Sequence, residues 1–165
     1  MKKINKVTFI SILISLALIL SFIESQIPTF VPVPGIKLGL PNIVIIYLLY
    51  RSSWKEAALV SLVRVTLVAL LFGSFYTFLY SFTGAVLSIL VMAILKRFTN
   101  LSCVTVSVIG GVMHNIGQII MACITTSTAQ IVYYLPILLI TGTIAGVLIG
   151  LIGAQLIKKL DKINL

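Results

Sequence analysis

Long apolar runs separated by short polar breaks set the pattern of this chain. Runs of about 20 residues fall near 7–23, 57–73, 77–95, 103–123 and 131–157, each long enough to cross a hydrocarbon core about 30 Å thick as an α-helix. A shorter run at 41–50 opens with a proline, and Ile36, Leu38 and Leu40 extend its apolar character upstream. With that run counted, the pattern predicts six transmembrane helices: an all-α membrane protein forming one integral domain over residues 1–165.

Charge placement favours the even count. With a cytoplasmic amino terminus, the inner segments hold Lys2, Lys3 and Lys6, then Arg51 and Lys55, then Lys96 and Arg97, then Lys158, Lys159 and Lys162, which is ten of the 12 basic residues. Only Lys37 falls in an outer loop and only Arg64 within a span, the distribution that the positive-inside rule favours over an inverted or five-span arrangement. Aromatic residues suit the same picture, with Tyr50 and Trp54 at the inner interface and Phe75, Tyr76, Tyr133 and Tyr134 at the outer one. The first run resembles a signal peptide in its lysine-rich start, but Ser21-Phe-Ile-Glu-Ser-Gln26 has no small-x-small cleavage site, so it is read as a retained helix.

Composition closes off the soluble alternatives. Hydrophobic residues make up 60% of the 165 and charged residues 9%, against about 25% charged in a typical soluble domain. The net charge of +9 does not point to nucleic acid, because the basic residues flank apolar runs and do not form one patch. The acidic residues are only Glu24, Glu56 and Asp161. Cys103 and Cys123 sit at opposite ends of one predicted helix, roughly 30 Å apart at about 1.5 Å per residue, too far to bridge.

Three places within the apolar framework carry polar chemistry. Residues Glu24 to Asn42 hold four of the five prolines together with Gly35 and Gly39, so a regular helix cannot run through them. This irregular loop is either a hydrophobic connector or a lid that brings Glu24, Lys37 and Asn42 to one membrane depth. Arg64 lies seven residues into a span, where a charge costs about 2.5–3.5 kcal/mol even on insertion scales. It either pairs structurally with a helix carbonyl or snorkels, or it holds an anionic substrate group or locks two helices together; its depth towards the cytoplasm makes it the less direct site candidate.

His114, Asn115 and Gln118 form the third place. His114 and Gln118, four residues apart, share a helix face, and Gly110, Gly111 and Gly117 open space around them. Such a trio is either satisfied packing or the wall of a binding cavity, since an unpaired amide or imidazole in hydrocarbon costs several kcal/mol. Small residues also recur four apart: Gly142, Gly146, Gly150 and Ala154 on the last helix; Ala17, Ser21 and Ser25 on the first, with Ser11 and Ser15 on a neighbouring face. Such stripes let helices approach closely, either within the chain or against a partner.

The chain lacks a phosphate-cradling Gly-rich loop with Lys-Ser/Thr, HExxH, GxSxG and any acidic pair within one span. No catalytic residue, metal site or cofactor is therefore expected.

Pro34-Gly-Ile-Lys-Leu-Gly-Leu-Pro-Asn42, Arg64, Phe82-Thr-Gly-Ala-Val-Leu-Ser88 and His114-Asn-Ile-Gly-Gln118 resemble the family labelled heptaprenyl diphosphate synthase component I, also called the Gx transporter family, over nearly the whole chain. That family is similar to the S components of energy-coupling factor (ECF) transporters. The resemblance implies a six-helix subunit that captures a small molecule at the outer face of the cell membrane and docks through its first helix on a transmembrane coupling protein. Two cytoplasmic ABC-type ATPases would then topple it. The docking surface known in such subunits has alanines four apart, where this chain offers Ser11, Ser15, Ala17 and Ser21. The synthase label conflicts with the chemistry, because diphosphate transfer needs aspartates to hold magnesium and Asp161 is the chain's one aspartate.

The expected function is thus the substrate-binding subunit of an ECF-type importer, with Lys37, Asn42, Glu24, His114, Asn115, Gln118 and Arg64 as substrate-binding candidates. Cations and amides outnumber carboxylates among them, which favours a compact aromatic or isoprenoid-linked molecule, such as a vitamin or a quinone or isoprenoid precursor, over a cationic one. The alternatives are a non-catalytic membrane partner of a prenyl diphosphate synthase and a solitary carrier. Both termini are expected in the cytoplasm. Green fluorescent protein fused to the carboxyl terminus should fluoresce and alkaline phosphatase fused there should be inactive; the reverse result would refute the orientation.

Overall fold

The computed structural model describes residues 3–27 and 38–161. Residues 28–37, which hold most of the proline-rich loop, lie outside the described residues, as do Lys2 and Lys162. Six α-helices follow in order: α1 (Lys3–Gln26), α2 (Asn42–Arg51), α3 (Trp54–Phe72), α4 (Phe75–Phe98), α5 (Cys103–Thr126) and α6 (Leu135–Asp161), with a short 3-10 helix at Ala129–Tyr134 leading into α6. Four segments are long and apolar enough to cross a membrane: Lys6–Gln26, Phe75–Phe98, Cys103–Thr126 and Ala129–Asp161. The chain is a multi-pass, all-helical membrane protein.

The other two helices fall short for different reasons. α3 has the length but carries Lys55, Glu56 and Arg64 within its 19 residues. α2, with 10 residues, is only about 15 Å long, half of a hydrocarbon core. Its middle is apolar on every side, and Val44 through Leu49 are all buried, so it forms the centre of the main core with Leu13 and Ala17 of α1, Ala57 and Val60 of α3, Ile89 and Met92 of α4, Val106 of α5 and Ile149 of α6. An apolar surface on all sides is what a helix enclosed by others requires.

Helix starts lie two or three residues ahead of the apolar runs that mark α3 and α4 in the sequence. Serine caps account for this. The hydroxyls of Ser53, Ser74 and Ser102 accept hydrogen bonds from the backbone N–H groups of Glu56 (3.3 Å), Thr77 (3.2 Å) and Thr105 (3.1 Å), closing the first turns of α3, α4 and α5. Hydropathy alone is blind to such polar ends.

Ion pairs gather at the face where α1 begins and α6 ends. Lys6 pairs with Glu56 and Arg51 with Asp161, while Lys96 Nζ donates to the carbonyl of Leu49 near the end of α2 and stands over the Tyr50 ring, 5.1 Å from its centroid. Tyr50 is partly buried at the end of α2, with its ring under Lys96 and its hydroxyl buried without a hydrogen-bond partner. Trp54, Phe75, Tyr76, Tyr133 and Tyr134 are exposed at the helix ends, as expected of interfacial aromatics.

Close backbone approach joins α5 to α6. A Cβ on Gly146 would lie 2.6 Å from Val108 Cα, one on Gly150 2.7 Å from Val104 Cα, and one on Gly111 2.7 Å from the Gly142 carbonyl oxygen. The small stripe of α6 thus packs inside the chain. On α1 the stripe divides: Ala17 (0% exposed) and Ser21 face the bundle, whereas Ser11 and Ser15 face outward. Ala17 and Ser21 consequently do not belong to an outward docking face, which corrects half of the expected set; their placement follows from α1 packing on α2 and α3.

Gly146→Ala should destabilise the protein by about 1–3 kcal/mol, because backbone and not a movable side chain meets the added methyl. Ile144→Ala, on the exposed side of the same helix, should change stability by less than about 0.5 kcal/mol. Thermal unfolding in detergent compares the two; equal effects would disprove the close approach.

Candidate functional site

The polar residues that the sequence scatters over five segments line one cavity of roughly 80 Å³ inside the bundle. One water needs about 10–15 Å³ by the same measure, so the space suits a ligand group and not merely a single solvent molecule.

α5 supplies the longest wall. Ser107, Gly111, His114 and Gln118 recur three and four residues apart, which places them on one helix face. α4 lies tightly against that face: a Cβ on Gly84 would meet the His114 carbonyl oxygen at 2.7 Å and the Gln118 Cγ at 3.1 Å, and one on Gly117 would lie 2.8 Å from Gly84 Cα. These glycines hold His114 and Gln118 at the α4–α5 seam, with Ser81 and Ser88 of α4 completing that side of the lining. α6 closes another side with Gly142, Ala145 and Gly146.

The half-length helix and the end of α1 form the remaining boundary. Leu38 and Gly39 lead into α2, whose Asn42 and Ile46 face the cavity. Gly39 adopts φ +77°, a left-handed conformation that costs a glycine little, and this turns the chain so that its N–H donates to the Glu24 carboxylate. Non-helical backbone at membrane depth is tolerated where it lines a cavity, and here the carboxylate satisfies one of its donors. Arg64 of α3 reaches the same space, and Glu24 is near enough to act on it electrostatically.

The expected site residues can now be placed. Glu24, Asn42, Arg64, His114, Asn115 and Gln118 come together around the cavity; Lys37 lies outside the described residues. Arg64 is not set apart towards one face but shares the cavity with Glu24 and Asn42. Asn115 differs in character from its neighbours: its Nδ2 donates to the Leu138 carbonyl, tying α5 to α6 beside Gly142. Gln118, 8% exposed, has an Oε1 without a hydrogen-bond partner, and the Nε of Arg64 likewise lacks one.

Sequence reading did not single out Ser81, Ser88, Ser107 or Met92 as lining residues. An isolated serine or methionine in an apolar helix carries no local signal, and only helix rotation decides whether it faces lipid or cavity. The two cysteines are free and stand at the two ends of α5, as their spacing required. Among the described residues, no three of His, Cys, Asp and Glu cluster to hold a metal.

A bundle of apolar helices around an internal cavity, lined by apolar side chains and a cluster of polar ones, defines a helical membrane protein with space inside it. The family model for heptaprenyl diphosphate synthase component I matches residues 13–156, most of the chain, and the protein belongs to that family. Comparison with curated proteins and with solved structures gave no match.

Asn115 and Gln118 should respond oppositely to replacement. Asn115→Leu removes the α5–α6 tie and should cost about 1–3 kcal/mol, whereas Gln118→Leu removes an unsatisfied buried carbonyl oxygen and should leave the ligand-free protein equally or more stable. Thermal unfolding of both variants in detergent is the check; a large loss in Gln118→Leu would show that its amide is committed structurally.

Proposed function

We propose that this chain is the substrate-binding subunit of an energy-coupling factor type importer. In this reading α2, with the loop before it, and α3 complete a six-crossing bundle with both termini in the cytoplasm, and the cavity opens to the outer face of the cell membrane. The observation that carries the reading is the cavity itself: an apolar chain encloses Arg64, Asn42, His114 and Gln118 around one space, with a donor and an acceptor lacking partners. Polar groups of this kind inside a membrane protein ordinarily serve a substrate path or a binding site. A chain without nucleotide-binding motifs draws its energy from elsewhere, so a transmembrane coupling protein and two ABC-type ATPases are its partners.

Ser11 and Ser15, exposed on α1, form the docking face in this reading, while Ala17 and Ser21 hold α1 to the bundle. Small residues there allow close contact with a partner helix. Lys37, from the loop ahead of α2, serves as the lid's cation.

The family description favours a second reading. It names one component of a synthase, so the chain would be a non-catalytic membrane partner of a soluble prenyl diphosphate synthase. The two readings part over which proteins accompany the chain.

Affinity purification from native membranes in mild detergent should recover the coupling protein and ATPases, and Ser15→Phe should reduce that recovery at least about tenfold without lowering thermal stability, since the residue faces outward. Recovery of a soluble aspartate-rich synthase in their place would establish the second reading; recovery of the chain alone would defeat both.

A further inference from the structure

The acidic residues of this protein number three, and each has a partner. Glu56 pairs with Lys6 and accepts a hydrogen bond from Ser52, Asp161 pairs with Arg51, and Glu24 accepts the Gly39 N–H. Arg64, the one basic residue in the middle of a helix lining the cavity, makes no ion-pair contact with any of them, and its Nε has no hydrogen-bond partner. A guanidinium presents five N–H donors in a planar fork that matches a carboxylate or phosphate edge, and Glu24, bonded to the Gly39 N–H, acts on it only from beyond ion-pair distance, so the fork is open to an anion from outside the chain. On the same cavity stands a complementary vacancy, the unpartnered Oε1 of Gln118, more than nine-tenths buried and able only to accept.

We infer that the cavity's ligand carries an oxyanion, carboxylate or phosphate, that docks on Arg64, together with a hydroxyl or N–H that donates to Gln118. This inference rests on the reading of the cavity as a substrate site and specifies its chemistry. Glu24 contributes by exclusion. Its carboxylate at the cavity boundary repels a second negative group, so the ligand presents one anionic end only, with the rest of its surface matched to Ile46, Met92 and Ile149. A dianion with charges at both ends and a simple organic cation are both disfavoured.

The test uses the purified full chain in detergent and needs none of the importer partners, so its failure is distinct from failure of the importer reading. Thermal unfolding against ligand concentration compares acetate, benzoate, 1-naphthoate and phenyl phosphate with acetamide, benzamide, 1-naphthamide and phenol at constant ionic strength, since a ligand that binds the folded state raises the unfolding temperature. At least one oxyanion should bind about tenfold or more tightly than its neutral counterpart, the size expected of a hydrogen bond to a charged group. The better of the carboxylate and phosphate arms identifies the anion. That preference should fall below about twofold in Arg64→Gln and persist in Arg64→Lys, which retains the charge without the fork; Arg64→Lys alone, with weaker binding but the acid still preferred, serves if Arg64→Gln does not fold. Among the three hydroxybenzoates, one should bind more tightly than benzoate in the native protein, and Gln118→Leu should erase that gain while leaving the acid-over-amide ratio intact. If no oxyanion outbinds its neutral counterpart, or if the preference survives Arg64→Gln, the inference is wrong; if no hydroxyl improves binding, or its gain survives Gln118→Leu, the Gln118 contact is wrong.

Discussion

The hydrocarbon interior of a membrane offers no hydrogen bonds, so every polar group carried into it must be satisfied by protein or by a ligand. The interior of this chain follows from that constraint. Helices answer it for the backbone along nearly the whole described length. The exceptions are informative, because Leu38–Gly39, Arg64 and Gln118 meet at one cavity, and the Glu24 carboxylate serves the irregular backbone that enters there.

Glycine makes the enclosure possible. Gly84 and Gly117 bring α4 onto α5, and Gly111, Gly146 and Gly150 bring α6 onto its other side, so α5 presents Ser107, His114 and Gln118 between two tightly apposed neighbours. Without a hydrophobic driving force between helices in lipid, such backbone proximity gains dispersion contacts that larger side chains would prevent. α2, half the length of a span, starts at the cavity, which its Asn42 and Ile46 help to line. The internal cavity thus arises beside a helix half the usual length and between seams that are unusually close.

Several of these features were legible in the residues themselves. The apolar runs marked the helices because a span of fixed thickness needs a fixed number of apolar residues. Arg64 and the His114–Gln118 segment stood out because polar groups in such runs need compensation, and the structure gathers them with Glu24 and Asn42. Helix ends were less legible, since Ser53, Ser74 and Ser102 act through single hydrogen bonds that hydropathy does not register. No local signal pointed to the bond between Glu24 and Gly39, which joins residues 15 positions apart.

Periodicity and composition by themselves determined that this is a helical membrane protein, where its long helices run and which polar residues demand an explanation, because those properties depend on local sequence and on the thickness of the surrounding medium. Only tertiary structure decided the rotation of each helix about its axis. That rotation turned Ala17 and Ser21 inward and left Ser11 and Ser15 outside, set the Tyr50 ring under Lys96, assigned Asn115 to the Leu138 carbonyl, and aimed Arg64 and Gln118 into a shared space. A helix that is apolar on nearly all sides carries little amphipathic signal to say which face is inside, so packing against neighbours, and above all the close approach permitted at glycine, makes that choice.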